Sequence, residues 1–225
     1  ARGACHTGKS RFREEAAVLE AAGGWHQFGD GSREVEWAAR NIGALLFAYE
    51  LYEEIFTDDT GIPESGNGTP DILDEIRYET DWLLKMQNEQ TGAVYAGVTV
   101  CERDRGMGMV SYVEPEDIQS SKAFAMAMAK FSYFYQNYDA EYAGRCLRAA
   151  ENAWRYVKRY DTAETDAWKF SAAAELYRAS GRGSFHKIVL EYLEAGSYKE
   201  DLDETAFFGC IAYISTSRQV ELTYC

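Results

Sequence analysis

No run of 18 or more apolar residues occurs anywhere in the sequence, so nothing in it has the length of a membrane-spanning helix. The start, Ala1-Arg2-Gly3-Ala4-Cys5-His6, lacks the charged-then-apolar layout of a secretory leader, and the chain is expected to begin as mature or clipped material. Contiguous Lys/Arg clusters are missing as well. With 37 acidic against 23 basic residues the formal charge is -14, so a phosphate backbone or an anionic lipid surface is a repelled partner. A neutral polysaccharide carries no such penalty. The five cysteines, Cys5, Cys101, Cys146, Cys210 and Cys225, are odd in number and irregularly spaced, which argues against a disulfide framework. No repeat of fixed period appears, and periodicity alone leaves a helical solenoid and a closed toroid both open.

What the chain does have is 46% hydrophobic and 14% aromatic residues over 225 positions, enough for one large core. Apolar residues at three- and four-residue spacing predict a helix over about 33–56, on Val35, Ala38, Ile42, Leu45, Tyr49, Tyr52 and Phe56. Thr69 as N-cap and Pro70 at the first helical position predict a second helix over about 70–89, with Ile72, Ile76 and Leu83 on its buried side. Residues 92–100 are the one convincing β segment, and 101–118 read as an irregular excursion. Five more helices are expected over about 120–136, 140–159 (capped by Asp139), 165–179, 184–195 and 203–216. Short links between them imply antiparallel αα-hairpins. Cys146 and Cys210 fall inside these helices and read as core thiols.

The stretch that organises the chain is Gly23-Gly24-Trp25-His26-Gln27-Phe28-Gly29-Asp30, a glycine-flanked turn that feeds the first helix. It resembles the Gly-Gly-Trp-His-Asp-Ala-Gly-Asp signature of glycoside hydrolase family 9, the cellulase-type inverting glycosidases. Ile62-Pro63-Glu64-Ser65-Gly66-Asn67-Gly68-Thr69-Pro70-Asp71-Ile72-Leu73-Asp74-Glu75 is similar to the same family, in the right order, and so are the runs from Ser120, Tyr138, Cys146 and Ala172. The resemblance covers roughly residues 3–181. It implies an all-α fold of the (α/α)6-barrel, six-hairpin type, with about seven of its twelve helices present. Residues 1–225 would then be one partial catalytic-type domain, the N-terminal half, and the half carrying the family's general-acid glutamate would lie elsewhere.

The resemblance makes Asp30 the aspartate that activates water; read without it, Asp30 is equally a cap for the helix opening near Arg33. Gln27 stands where the family has its first aspartate. An amide still hydrogen-bonds water or a sugar hydroxyl, but it neither takes up a proton nor supplies negative charge. Trp25 is either a platform for a sugar ring or a core plug beside two glycines. Glu64, Asp71, Asp74 and Glu75 read as loop and helix-start carboxylates that favour the helix dipole. Family members with an immunoglobulin-like domain ahead of the barrel hold a structural zinc on two cysteines and two histidines, and Cys5, His6 and His26 fit three of those places. The family's calcium site is in doubt, because Ala167 and Trp168 stand where its Asp-Glu pair is expected. The implied partners are a polysaccharide or oligosaccharide, an upstream immunoglobulin-like domain and a downstream half-barrel, with no nucleic acid and no membrane. The implied location is extracellular. The implied activity is hydrolysis of β-1,4-glucan, incomplete in this chain; the competing expectation is a non-catalytic carbohydrate-binding or scaffold protein with a degenerate turn.

Overall fold

A computed structural model describes residues 8–13, 17–27, 29, 31–102, 109–196, 203–221 and 223. Within these, seven α-helices carry the architecture: α1 Val35–Leu51, α2 Asp71–Lys85, α3 Ile118–Tyr135, α4 Ala140–Tyr160, α5 Ala167–Ser180, α6 Gly183–Ala195 and α7 Glu204–Ile214. The cap expected at Asp139 is in place. The Asp139 carboxylate accepts the Tyr142 N–H at 2.9 Å, and Asp117, Asp166 and Asp203 cap α3, α5 and α7 in the same way. α2 departs from expectation: Pro70 holds the cap position and Thr69 precedes it. None of the seven helices is long and apolar enough to cross a membrane.

The helices form two rows. α3 packs against α1 and α5, and α5 packs against α7, giving an inner row α1–α3–α5–α7; α2, α4 and α6 lie outside it. The two middle helices of this row, α3 and α5, have almost no solvent side. α3 buries Ser121 through Phe131 without a break, and α5 buries Phe170 through Arg178. Runs of alanine in both allow neighbouring backbones to close in. At Gly209 on α7 a β-carbon would lie 2.5 Å from the Phe170 ring, so α7 reaches α5 only because that side chain is missing.

Side chains from the two ends of the helices show that the inner row runs in one direction. Glu50 of α1, Lys130 of α3, Glu175 and Arg178 of α5 and Ser215 after α7 meet at one end. Glu36 and Arg40 of α1, Trp168 of α5 and Glu204 of α7 meet at the other. The turn at residues 23–32 enters α1 at this second end, the mouth formed by the helix N-termini.

Strands add to the helical frame where the sequence reading has only one β segment. β1 Lys9–Phe12, β2 Val18–Glu20, β3 Arg33–Glu34, β5 Gly97–Glu102 and β6 Met109–Val113 form a sheet in the order β2-β1-β6-β5-β3. β4 Val94–Tyr95 and β7 Glu116–Asp117 pair separately. The excursion at 101–118 is therefore in part the return arm of a β5–β6 hairpin. β3 is only two residues long, but its register, Arg33↔Val98 and Glu34↔Gly97, fastens the entrance of α1 to that hairpin.

Candidate active site

The turn is built on α2. Gly24, at φ +85°, lies flat on the Trp82 ring, where a β-carbon would come within 2.6 Å of a ring carbon; any side chain there is both strained and blocked. The next backbone N–H, that of Trp25, donates to Glu79 Oε2 at 2.5 Å, and the Trp25 indole N–H donates to Glu75 Oε1 at 2.7 Å. Arg33, only 1% exposed, returns across the turn and donates to the carbonyls of Ala21, at 2.6 Å, and Gly23. Its guanidinium stands 5.5 Å from the Trp82 ring centroid. Lys85 donates to the Ala22 carbonyl at 2.7 Å. One helix face, Glu75, Glu79, Trp82 and Lys85, thus grips Ala22, Gly24 and Trp25, while Arg33 holds Gly23 between them.

The far side of the turn is closed by Gln27 N–H donating to the Ser32 carbonyl at 3.0 Å, and Val100 N–H donates to Ser32 Oγ at 3.2 Å. Val35 N–H donates to the Ala96 carbonyl at 2.9 Å. A cleft of about 410 Å³ opens between the start of α1, β5 and β7, bordered by Glu34, Glu36, Thr99, Glu114 and Glu116. Deeper in the mouth, the Trp168 indole donates to Glu36 Oε1 at 3.2 Å, and the Arg40 guanidinium lies over the Trp168 ring.

Burial pushes the Glu79 carboxyl up to about 8, against the Trp25 N–H and the Arg33 charge, which lower it, with Glu75 adding to the rise. Its second oxygen, Oε1, is buried with no hydrogen-bond partner among the described residues, and so is Gln27 Oε1. Loop carboxylates behave differently. Burial opposes the charge of Asp71, but Thr60 and Ser65 donate to its Oδ2 and hold it below the usual carboxylate range. Asp74 accepts from Asn67 at 2.8 Å. Asp71 and Asp74 brace the Ile62–Glu75 loop as expected, while Glu75 serves the turn.

Of the residues singled out in the sequence, Asp30, Cys5 and His6 lie outside the described residues. Trp25, Gln27 and His26 are within them. Trp25 is half-buried, packed against the core beside the two glycines, with its indole N–H donating to Glu75. His26 is half-buried on the same turn. Cys146 is a core thiol that burial pushes up to about 12; Cys210 is half-buried. Glu79, Arg33 and Lys85 were not anticipated. The signal for Glu79 is its spacing: Glu75, Glu79 and Trp82 share one face of α2, yet a search for apolar periodicity assigns the carboxylates to solvent.

Comparison with known proteins gives this geometry a lineage. The profile of Glycosyl hydrolase family 9 matches residues 1–216. The chain is 25% identical to a xyloglucan-specific endo-β-1,4-glucanase of Bacteroides ovatus, over 92% of this chain and 41% of that protein. It is 28% identical to a cellodextrinase of Butyrivibrio fibrisolvens, over 89% and 40% respectively. A metagenome-derived family 9 endoglucanase superposes with a TM-score of 0.86 at 28% identity, covering 97% of this chain and 45% of that one. A thermostable endoglucanase of Alicyclobacillus acidocaldarius shares the fold at TM-score 0.82 and 23% identity, over 96% and 46%. The chain spans about 40% of the length of the curated relatives it matches. It belongs to glycosyl hydrolase family 9, as an N-terminal part of that family's six-hairpin catalytic domain.

Proposed function

We propose that this chain is the turn-bearing part of a secreted glycosidase that hydrolyses β-1,4-linked glucan with inversion, Asp30 activating the attacking water. The observation that carries this is the turn itself: its sequence fits the family signature, and α2 fixes Ala22, Gly24 and Trp25 through two carboxylates, a lysine and a tryptophan face. Such positioning is what an in-line attack requires. Inverting chemistry also needs an acid ~6.5–9.5 Å from the base. In this reading the acid is a glutamate in the remaining half-barrel.

In the complete protein, Asp30→Ala should reduce turnover of soluble β-glucan by at least ~10²-fold, the usual worth of a general base. Gln27→Asp should raise it. The 225-residue chain alone should show no turnover. If it hydrolyses glucan at ordinary rates and Asp30→Ala abolishes this, the acid lies within these residues and the half-domain reading fails.

A second reading is favoured by Gln27, an amide where the family has a carboxylate, its buried Oε1 without a partner among the described residues: a glycan-binding protein without turnover. Glucan binding by the complete protein, with no hydrolysis before or after Gln27→Asp, would select it. The zinc suggested by Cys5, His6 and His26 belongs to the same proposal, tying the N-terminal segment to the turn. One zinc per chain by elemental analysis, lost in His26→Ala, is the expected result. An upstream immunoglobulin-like domain remains part of the proposed whole.

A further inference from the structure

A groove of about 980 Å³ lies away from the turn. It lies on the outer row between α4 and α6, and six of the chain's 23 basic residues line it against three acidic ones. In a chain with 37 acidic side chains this is a local inversion of charge. No contiguous Lys/Arg cluster announces it, because the cations are dispersed at helical spacing: Arg145, Arg148, Arg155 and Lys158 follow one flank of α4, and Arg182 faces them from the start of α6. All five are exposed.

Part of this charge is already used and part is available. Arg182 pairs with Glu151 at 3.0 Å, and Arg155 leans on the Asn152 amide. Asp161, one of the three acidic residues, is held by the buried Lys122 at 2.7 Å and so subtracts little from the groove. Arg148 and Lys158 have no carboxylate within ion-pair distance among the described residues. The floor is aromatic, Trp154 and Phe185 meeting edge to face at 5.6 Å.

We infer that the α4–α6 groove binds a polyanionic glycan, a chain of uronate-bearing sugars. The rise between successive cations on α4 is roughly 5–10 Å at 1.5 Å per residue, which suits a polymer with one carboxylate per ring. A nucleic acid fits less well. Its denser charge, about one per 1.7 Å of duplex, would extend beyond the groove onto acidic surface. The choice of a glycan over other polyanions rests on the polysaccharide reading above. The site would anchor the protein on acidic polysaccharide while the turn, at the mouth of the inner row, addresses neutral glucan.

The test is binding of the chain to oligogalacturonate at low ionic strength, by calorimetry or affinity electrophoresis, with a neutral β-glucan oligomer and duplex DNA as comparators. Arg148→Glu with Lys158→Glu should weaken oligogalacturonate binding at least tenfold. Lys9→Glu with Arg11→Glu, the same change in net charge on β1, away from the groove, should leave it within twofold, and added salt should weaken the wild type progressively. All four positions are exposed, and circular dichroism checks that each variant folds. No binding by the wild type, equal losses in the two double variants, or tighter binding of DNA than of oligogalacturonate overturns the assignment. Because uronate binding reads the groove and β-glucan turnover reads the turn, the two readings fail separately.

Discussion

At the closed end of the inner row, Glu50 and Glu175 are matched by Lys130 and Arg178, with Arg178 to Glu50 at 2.7 Å, Arg178 to Glu175 at 2.7 Å and Lys130 to Glu175 at 3.3 Å. Behind the turn, Glu79 is as deeply buried, but the nearest cation, Arg33, donates to the carbonyls of Ala21 and Gly23. The two regions therefore bury carboxylates on different terms. In the first, two positive and two negative groups offset one another. Burial works against the charge of Arg178, and the carboxylates of Glu175 and Glu50 more than compensate, leaving it above its ordinary value. Such a cluster acts as a brace. In the second, the Glu79 proton can leave near neutrality, so the anchoring of the turn depends on pH.

The most severe way to break this contrast is to unbalance the brace. Arg178→Met leaves two buried carboxylates facing one lysine and should cost about 3–5 kcal/mol, the usual penalty for removing one partner of a buried pair. It would be read from the urea midpoint at constant slope. A smaller loss than Glu79→Gln produces would reverse the assignment of brace and sensor.

Next comes the pH dependence of the turn. The folded-state value of Glu79 lies above its ordinary 4.5, so the folded protein holds a proton that the unfolded chain releases. Its contribution is therefore unpenalised below pH ~4.5, and stability is lost as pH rises through the window up to about 8. At ~1.4 kcal/mol per unit the shift caps the swing at about 5 kcal/mol, and a loss of roughly 3 kcal/mol between pH 5 and 9 is expected. Glu79→Gln keeps an oxygen for the Trp25 N–H and should flatten that slope. An unchanged slope would show that another group carries it.

Gly24→Ala tests the contact rather than the charge. A methyl group at φ +85° against the Trp82 ring should cost about 1–3 kcal/mol and shift Trp82 and Trp25 fluorescence. The smallest effect is expected from Trp25→Phe, which removes only the bond to Glu75. A loss of about 0.5–1.5 kcal/mol in thermal unfolding is the scale for one hydrogen bond.

The difference between the regions also explains what the sequence discloses. Helices were legible because their signals are local: Asp139 three residues before Tyr142, and Tyr142, Cys146, Ala150, Ala153 and Val157 on one face of α4, all of them buried. α3 and α5 give no stripe to read, since they are buried on almost every side. The sheet was missed because its strands run two to six residues and β1 pairs with β6 across about a hundred positions, Arg11↔Tyr112. The turn was legible as a motif, but its support was not. Glu79 is a charged residue with a core address, and only its partner Trp25, 54 positions earlier, explains why it is there. The basic groove was hidden for a related reason, its cations being neighbours in space and not in sequence.

The two-residue pairing of β3 with β5 also sets an order of events as the chain is made. Within residues 21–34 the turn has only Arg33 on Ala21 and Gly23 and Gln27 on Ser32 among the described residues; its outer clamps are Glu79, 54 positions after Trp25, and Val98, 65 positions after Arg33. Synthesis at about 5–20 residues per second delivers those clamps seconds later, whereas a helix forms in about 0.1–1 μs. A nascent chain emerging from the ribosome therefore has its first helix before it has a turn, and the turn takes shape only when the β5–β6 hairpin follows it out. The same dependence runs backwards under denaturant. Opening of the hairpin should expose the Trp25 and Val35 amides to hydrogen exchange together, ahead of those in α3.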